Sequence, residues 1–351
     1  TGYKGEFAGA VEAAASTGGQ IMPPIMGAAA FLMAEFTGKP YSYIALLAIL
    51  PALLYFTGIF IAVHLEAKRL GLKGMSREEL PKLRELLPKI YLLLPLIVLV
   101  VLVSNGTRSM AYSAALAILV TIGVGLINNI VSAVTKSEDK TDNITVMKAI
   151  DALEAGAKGT ITVAAACAMA GIVAGCITST GLASTLLRAI VSVSGGKVIV
   201  ALFLTMICCI VLGMGVPTTA NYCIMASTCA PILMSEAIGV KELAAHFFVF
   251  YFGIVADITP PVALAAYAGS AIAKAPPMKT ALNATKLAIA AFIVPYIFAL
   301  NPAMLLIDTV WYEVVLIVLS SLLGLFGVAT ALNGHLFRPI NPLFRLLLLA
   351  G

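Results

Sequence analysis

The chain has 351 residues, of which 61% are hydrophobic and 11% are charged, and its mean hydropathy is +1.03. Soluble domains carry about 25% charged residues, so this composition excludes a soluble globular protein and indicates a polytopic membrane protein. The net charge of +5 therefore does not indicate nucleic-acid binding, and we expect membrane lipid but no nucleic acid among the partners.

The sequence contains no pattern that is typical of a catalytic or cofactor site. Its six cysteines lie in apolar stretches without metal-ligand spacing, and no Ser/His/Asp arrangement is present. We therefore expect no enzyme activity, no catalytic residue and no cofactor. The chain begins at Thr1 without an initiator methionine and ends in the apolar run 346–351, so we expect a fragment of a longer protein.

Apolar runs of about 20 residues, the length that spans a bilayer, recur along the chain and predict an all-α fold. In chain order we expect a broken helix at 3–36, helices at 41–65, 90–104 and 110–134, an interfacial helix at 143–158, a spanning helix at 160–178, an amphipathic stretch at 180–193, apolar runs at 197–212 and 219–237, a second broken helix at 240–275, and helices at 284–300 and 309–331. We expect Asn128 and Asn129 to form hydrogen bonds between helices.

Two proline pairs, Pro23-Pro24 and Pro260-Pro261, interrupt hydrophobic segments 237 residues apart. The same offset aligns further identical residues: Gly2 with Gly239, Lys4 with Lys241, Ile21 with Ile258, Ala28 and Ala29 with Ala265 and Ala266, and Pro40 with Pro277. Proline lacks an N–H, so each pair leaves carbonyl groups that lipid cannot hydrogen-bond. Broken helices at repeat-related positions are typical of secondary transporters with a site between the repeats.

The distribution of basic residues predicts how the repeats are oriented. The loop 66–89 holds seven Lys and Arg residues, so we place it in the cytoplasm. If 197–237 is a re-entrant hairpin that enters from outside, all but five of the 22 basic residues lie inside. A full crossing at 197–212 would instead put Lys274 and Lys279 outside. The hairpin topology makes the two broken helices antiparallel and the repeats inverted, and it places the first repeat's own hairpin before residue 1.

Four ordered motifs resemble the large membrane subunit of TRAP (tripartite ATP-independent periplasmic) transporters. They are the runs 213–222 (Gly-Met-Gly-Val-Pro-Thr-Thr-Ala-Asn-Tyr), 245–253 (Ala-His-Phe-Phe-Val-Phe-Tyr-Phe-Gly), 256–265 (Ala-Asp-Ile-Thr-Pro-Pro-Val-Ala-Leu-Ala) and 18–24 (Gly-Gly-Gln-Ile-Met-Pro-Pro). Within that family, the chain is most similar to the fused permease of the TAXI branch, truncated at both ends.

The resemblance implies a multi-pass protein of the inner membrane that drives the uptake of a small organic acid with sodium. The implied partners are a periplasmic substrate-binding protein and a small membrane subunit or fused four-helix segment. The implied mechanism is an elevator, in which hairpins and broken helices move against a scaffold. The alternative is a related elevator-type sodium–carboxylate symporter that works without a binding protein.

On this basis we divide the chain into five parts. We expect transport-domain segments at 1–36 (first broken helix) and 197–275 (hairpin and second broken helix), scaffold helices at 37–134, an interfacial helix, spanning helix and arm at 135–196, and scaffold helices with a C-terminal segment at 276–351.

Sodium prefers oxygen ligands, and a hairpin tip opposite a helix break can supply them as carbonyl and side-chain oxygens. We assign sodium to Gly213, Gly215, Pro217, Thr218, Thr219, Asp257 and Thr259. Gly18, Gly19 and Gln20 are assigned to a second, pseudo-symmetric sodium site. The substrate is assigned to Thr218, Asn221, Pro24 and Pro261, where half-helix N-termini favour an anionic group.

Three of these assignments have structural alternatives. Gly213, Gly215 and Pro217 also suit a simple tight turn. Asn221 suits a helix-capping amide. Asp257 can ligate sodium, carry a proton, or cap the half-helix that follows the break.

Overall fold

The computed structural model describes residues 2–24, 26–72, 87–105, 109–134, 144–336 and 338–350. Within these ranges the regular secondary structure is helical, which confirms the all-α prediction. The helices are α1 (Gly5–Gly18), α2 (Ala28–Thr37), α3 (Tyr41–Leu70), α4 (Leu94–Ser104), α5 (Met110–Val134), α6 (Val146–Ser179), α7 (Leu182–Ser194), α8 (Val198–Gly213), α9 (Thr218–Thr228), α10 (Ala230–Met234), α11 (Glu242–Val255), α12 (Leu264–Ile272), α13 (Pro277–Leu287), α14 (Ile289–Leu300), α15 (Trp311–Asn333) and α16 (Pro342–Ala350). Short 3₁₀ helices cover Leu87–Leu93, Ala256–Ile258 and Pro302–Leu305.

Four segments of the described chain are long and apolar enough to cross a membrane: Tyr41–Leu70, Ala111–Ile130, Pro277–Leu300 and Trp311–Asn333. Shorter apolar helices accompany them, among them Val198–Gly213 in α8. These lengths agree with the prediction of a multi-pass protein. Most of the predicted cytoplasmic loop 66–89 lies outside the described residues.

Several helix boundaries differ from the sequence prediction, and the following are two examples. The expected separate helices at 143–158 and 160–178 are one continuous helix, α6, because no proline interrupts it and an ion pair of 2.5 Å between Lys158 and Glu154 spans one of its turns. The helix expected to begin at 284 is preceded by α13, which begins at Pro277, a favoured residue for the first helical position.

The described chain forms two compact units. One unit comprises Thr1–Lys39, Ile44–Lys73 and Ala166–Gly351, and the other comprises Pro40–Tyr43 and Gly74–Ala165. The five parts predicted from the sequence were defined by expected function, whereas these two units are defined by contacts within the structure. The five-part division therefore stays a prediction.

In the smaller unit, Asn128 bonds to a residue of another helix, as predicted, whereas Asn129 bonds to the chain that precedes α6. The Tyr91 hydroxyl donates to Asn128 Oδ1 at 2.6 Å. Asn129 donates to the Ile144 carbonyl at 2.5 Å and accepts from the Ile144 N–H at 2.8 Å. These bonds use amide groups that would be costly to leave unpaired beside lipid.

The core of the larger unit is built around α11. Every residue of this helix from Leu243 to Val255 is buried, as expected for a helix that is apolar on all sides. It packs against α8, α9, α10 and α14. Its aromatic side chains meet those of α14 edge-on, for example Tyr251 with Phe298 at a centroid distance of 5.6 Å.

The two broken helices lie beside each other with opposite halves in contact. The first consists of α1 and α2, the second of α11 and α12, and both the Pro23–Pro24 and Pro260–Pro261 peptide bonds are cis. The first half of the first helix, α1, packs against α12, whereas its second half, α2, packs against α11. The α9 helix of the hairpin contacts both α2 and α11.

The contact between α1 and α12 depends on two glycines. A Cβ atom added to Gly269 would lie 2.5 Å from the Gly9 carbonyl oxygen, and one added to Gly9 would lie 2.7 Å from the Gly269 carbonyl oxygen. No side chain fits at such distances, so the two backbones approach closely only because both residues are glycine.

Replacing Gly269 with Ala should lower the free energy of unfolding by about 1–3 kcal/mol, because the added methyl forces the backbones of α1 and α12 apart. Thermal unfolding of the purified protein measures this effect. Gly324→Ala in α15 is the matched control, since nothing lies within 4 Å of its Cβ position. Equal melting temperatures for the two variants would contradict the close packing of α1 on α12.

Candidate functional site

The hairpin tip lies between α8 and α9 and contains the predicted glycines. Gly215 has φ +74°, a backbone conformation that favours glycine, and Pro217 precedes the first residue of α9. Gly213 is required for a different reason. A Cβ atom there would lie 2.5 Å from Asn221 Nδ2 and 3.0 Å from the Ala256 Cβ, so close packing rather than the turn excludes a side chain.

The second helix break lies opposite this tip. The α11 helix ends at Val255, the 3₁₀ turn Ala256–Ile258 follows, and α12 begins at Leu264 after Ala263, which has φ +33°. A helical carbonyl accepts from the N–H three or four residues later. For Asp257 both of these positions are prolines, Pro260 and Pro261, which have no N–H. Among the described residues, no group donates to the Asp257 carbonyl.

Three other carbonyls of the break are bonded within the protein. Thr285 Oγ1 donates to the Ile258 carbonyl at 3.1 Å, and the Tyr267 hydroxyl donates to the Pro261 carbonyl at 2.5 Å. The Thr259 carbonyl accepts from the Ala263 N–H at 3.2 Å. The Asp257 carbonyl has no such donor among the described residues, and the Pro260 and Val262 carbonyls of the loop share this lack.

Side chains connect the tip to the break. Thr218 Oγ1 donates to Asp257 Oδ2 at 3.4 Å, and Asn221 Nδ2 donates to the Gly253 carbonyl at 3.0 Å. Asn221 is 1% exposed, and its Oδ1 atom has no hydrogen-bond partner among the described residues. Two acceptors without donors, the Asn221 amide oxygen and the Asp257 carbonyl, therefore lie on the two segments that meet here.

The structure removes two of the structural alternatives. Asp257 does not cap α12, because the residue before that helix is Ala263 and no side chain caps its N-terminus. Asn221 does not cap α9 either, since it lies inside the helix and bonds across to α11. The capping interpretations are wrong because the loop Thr259–Ala263 separates Asp257 from α12, and Pro217 takes the position before α9.

The remaining residues assigned to this site lie around the same contact. Thr218 and Thr219 begin α9 and are partly exposed, and Pro261 is exposed. The Thr259 hydroxyl donates to the Val255 carbonyl at 2.7 Å, which leaves its oxygen lone pairs available.

The first helix break has a different arrangement. The Gln20 carbonyl, which corresponds to that of Asp257 under the 237-residue offset, accepts from the Gly27 N–H at 3.1 Å. Gly18 is buried against Tyr55 and Phe56, so it provides a packing contact, whereas Gly19 is exposed. The second sodium site assigned to Gly18, Gly19 and Gln20, and the substrate contact assigned to Pro24, stay predictions.

Sequence reasoning missed three polar contacts that support the site. Thr285 and Tyr267 bond to carbonyls of the break, and neither lies in a motif that indicates this role. Tyr222 OH lies 2.7 Å from His246 Nδ1, and this buried pair connects α9 to α11. The interval between Tyr222 and His246 matches no helical or strand period, so the sequence contained no local signal for it.

The acceptor atoms on the two facing segments are oxygens: a carboxylate, a main-chain carbonyl, an amide oxygen and hydroxyl groups. Such a set suits a hard cation rather than a soft metal, which prefers thiolate or imidazole ligands. The N–H groups of the first turn of α9 lie beside it and favour an anion.

A family model described as the DctM component of tripartite ATP-independent periplasmic transporters matches residues 1–312. Comparison with curated proteins finds no match. DctM proteins are multi-pass components of inner-membrane transporters rather than enzymes, and they work with a periplasmic binding protein and a small membrane subunit. The match contains α1 to α14, both helix breaks and the hairpin. The resemblance noted in the sequence is thereby confirmed, and the chain belongs to the DctM family of TRAP transporter membrane components.

Proposed function

We propose that the chain couples the entry of sodium to the uptake of a small organic acid that a periplasmic binding protein delivers. One observation carries the proposal: the Asp257 carbonyl has no hydrogen-bond donor among the described residues, and the side chain of the same residue contacts the hairpin tip through Thr218. An unpaired carbonyl at membrane depth needs a partner, and a bound cation supplies one.

Charge favours a monovalent ion. Asp257 is the carboxylate that contacts the hairpin tip in the described part of the chain. A monovalent cation beside one carboxylate gives a neutral site, whereas a divalent cation would leave a net positive charge within the membrane, which is costly. Sodium is the small, hard monovalent cation that fits carbonyl and hydroxyl ligands.

We assign Asn221 to this ion rather than to the substrate. Its side chain is buried, so it is poorly placed to contact an organic acid, whereas its unpaired Oδ1 can complete the shell of a small cation. The substrate contacts that remain are Thr218, Pro24 and Pro261. A carboxylate substrate would also interact with the first N–H groups of α9, where the helix dipole is positive.

The packing of the broken helices supports inverted repeats and an elevator. Because α1 contacts α12 and α2 contacts α11, opposite halves of the two helices lie side by side. Inverted repeats produce such an antiparallel pair. The Gly9–Gly269 contact joins the two broken helices closely, as a transport domain that moves as one body would require. The TAXI-type fused permease stays a prediction within this proposal.

The main test is uptake of a radiolabelled substrate into proteoliposomes that contain the complete transporter and its binding protein. Replacing Asp257 with Asn keeps the side-chain shape and removes its charge. We expect the sodium concentration for half-maximal uptake to rise about 10-fold or more, because a charge-assisted contact contributes about 1.5–3 kcal/mol.

Asp308→Asn is the matched control for this test. The Asp308 side chain is 74% exposed and pairs with Lys241 at the surface, so its loss should leave the sodium dependence unchanged. The same sodium dependence in Asp257→Asn and wild type would contradict the ion site. Uptake at full rate without the binding protein would favour the alternative, a sodium–carboxylate symporter that works alone.

A labelling experiment tests the hairpin topology. In a cysteine-free background, Lys197→Cys and Glu236→Cys, exposed positions at the two ends of the hairpin, should react with a membrane-impermeant maleimide added from outside. Lys279→Cys at the start of α13 should react only from the cytoplasmic side. Reaction of Lys197→Cys from outside and Glu236→Cys from inside would show that the segment crosses the membrane fully.

A further inference from the structure

A small polar cavity lies in the larger unit, away from the hairpin and the helix breaks. Its volume is about 120 Å³, and it is bordered by α1, α3, α13 and α15. Its polar lining consists of two cations, one carboxylate and two amides: Arg69, Lys286, Glu66, Asn283 and Asn333.

The carboxylate positions other groups of the cavity. Glu66 is 7% exposed, and its Oε1 accepts from Arg69 Nη2 at 2.5 Å while its Oε2 accepts from Asn333 Nδ2 at 3.0 Å. Both oxygens are therefore used. Arg69 has five N–H donors and a side chain that is 49% exposed, and its bond to Glu66 uses one of them, so the others are available to a further acceptor or to solvent.

The cavity also contains groups without partners. Within the described residues, neither Lys286 nor Asn283 forms a hydrogen bond through its side chain, and the buried Asn333 Oδ1 has no donor. Lys279, Asn283 and Lys286 share one face of α13, at positions i, i+4 and i+7. An anion in this cavity could therefore contact two cationic side chains, Arg69 and Lys286. An N–H or O–H group could donate to the buried Asn333 Oδ1.

Two spanning segments place this cavity at the membrane surface. The segment Tyr41–Leu70 ends one residue after Arg69, and the segment Trp311–Asn333 ends at the residue that bonds to Glu66. The ends of spanning helices lie at the level of the lipid headgroups. The basic loop that follows α3 predicts that this is the cytoplasmic surface.

We propose that this cavity binds the headgroup of a phospholipid. The phosphate lies between Arg69 and Lys286, and an ammonium or hydroxyl group of the same headgroup donates to Asn333 Oδ1. Asn333 belongs to α15, nearly all of which lies beyond the residues 1–312 that match the family model. The lipid would therefore connect this additional helix to α3 and α13.

The full chain, purified in detergent, can be titrated with phosphatidylethanolamine, and binding can be followed by native mass spectrometry. Lys286→Gln should weaken binding about 10-fold through loss of one charge-assisted contact, and this side chain is exposed, so the fold is retained. Lys279→Gln, on the same face of α13 but outside the cavity, should bind as the wild type does. Equal affinities of the two variants would overturn the proposal.

Headgroup chemistry provides a second readout. Phosphatidylcholine has the same phosphate but no N–H donor, so we expect it to bind at least about 10-fold more weakly than phosphatidylethanolamine. Equal binding of the two lipids would show that Asn333 Oδ1 does not take part. Inorganic phosphate or glycerophosphoethanolamine that bound as tightly as the lipid would identify a site for a free small anion and overturn the lipid assignment.

Discussion

The candidate site depends on one main-chain oxygen, the carbonyl of Asp257. Its two helical donors would be the N–H groups of residues 260 and 261, and both residues are proline. Neighbouring carbonyls at Ile258 and Pro261 obtain donors from Thr285 and Tyr267, whereas the Asp257 carbonyl obtains none among the described residues. An oxygen without a donor is costly in a membrane interior and becomes favourable only with a partner such as a cation. The hairpin tip contacts the same break, where Thr218 bonds to the Asp257 carboxylate and Asn221 bonds to the Gly253 carbonyl.

The two proline pairs occupy matching positions in the sequence, but their surroundings differ. Gln20 corresponds to Asp257. Its carbonyl accepts from the Gly27 N–H, so at the first break this carbonyl is bonded within the break itself. It also carries no carboxylate. The repeat in the sequence therefore does not produce two equivalent sites in the structure. The groups at the second break suit a bound cation better than those at the first. The antiparallel packing of the two broken helices is nevertheless the arrangement that inverted repeats produce.

Much of this architecture could be predicted from the sequence. The lengths of the apolar runs predict the helices, the proline pairs predict the breaks, and the motif around Gly213 predicts the hairpin tip. The capping interpretations of Asp257 and Asn221 were wrong because a cap depends on loop geometry that residue types do not determine. Contacts such as Thr285 with Ile258 and Tyr222 with His246 join distant residues, and only the packing of the helices brings them together. The sequence assigns Gly213 to sodium, with a tight turn as the alternative, whereas close packing against Asn221 is what requires a glycine there.

We propose that a sodium ion occupies the contact between the hairpin tip and the second helix break. The most direct measurement is a high-resolution cryo-electron microscopy comparison of the complete transporter in sodium and in N-methylglucamine buffer. We expect density coordinated by the Asp257 carbonyl and Asn221 Oδ1 in sodium buffer, and we expect this density to be absent without sodium. Identical maps at this position, or sodium density confined to other parts of the molecule, would contradict it.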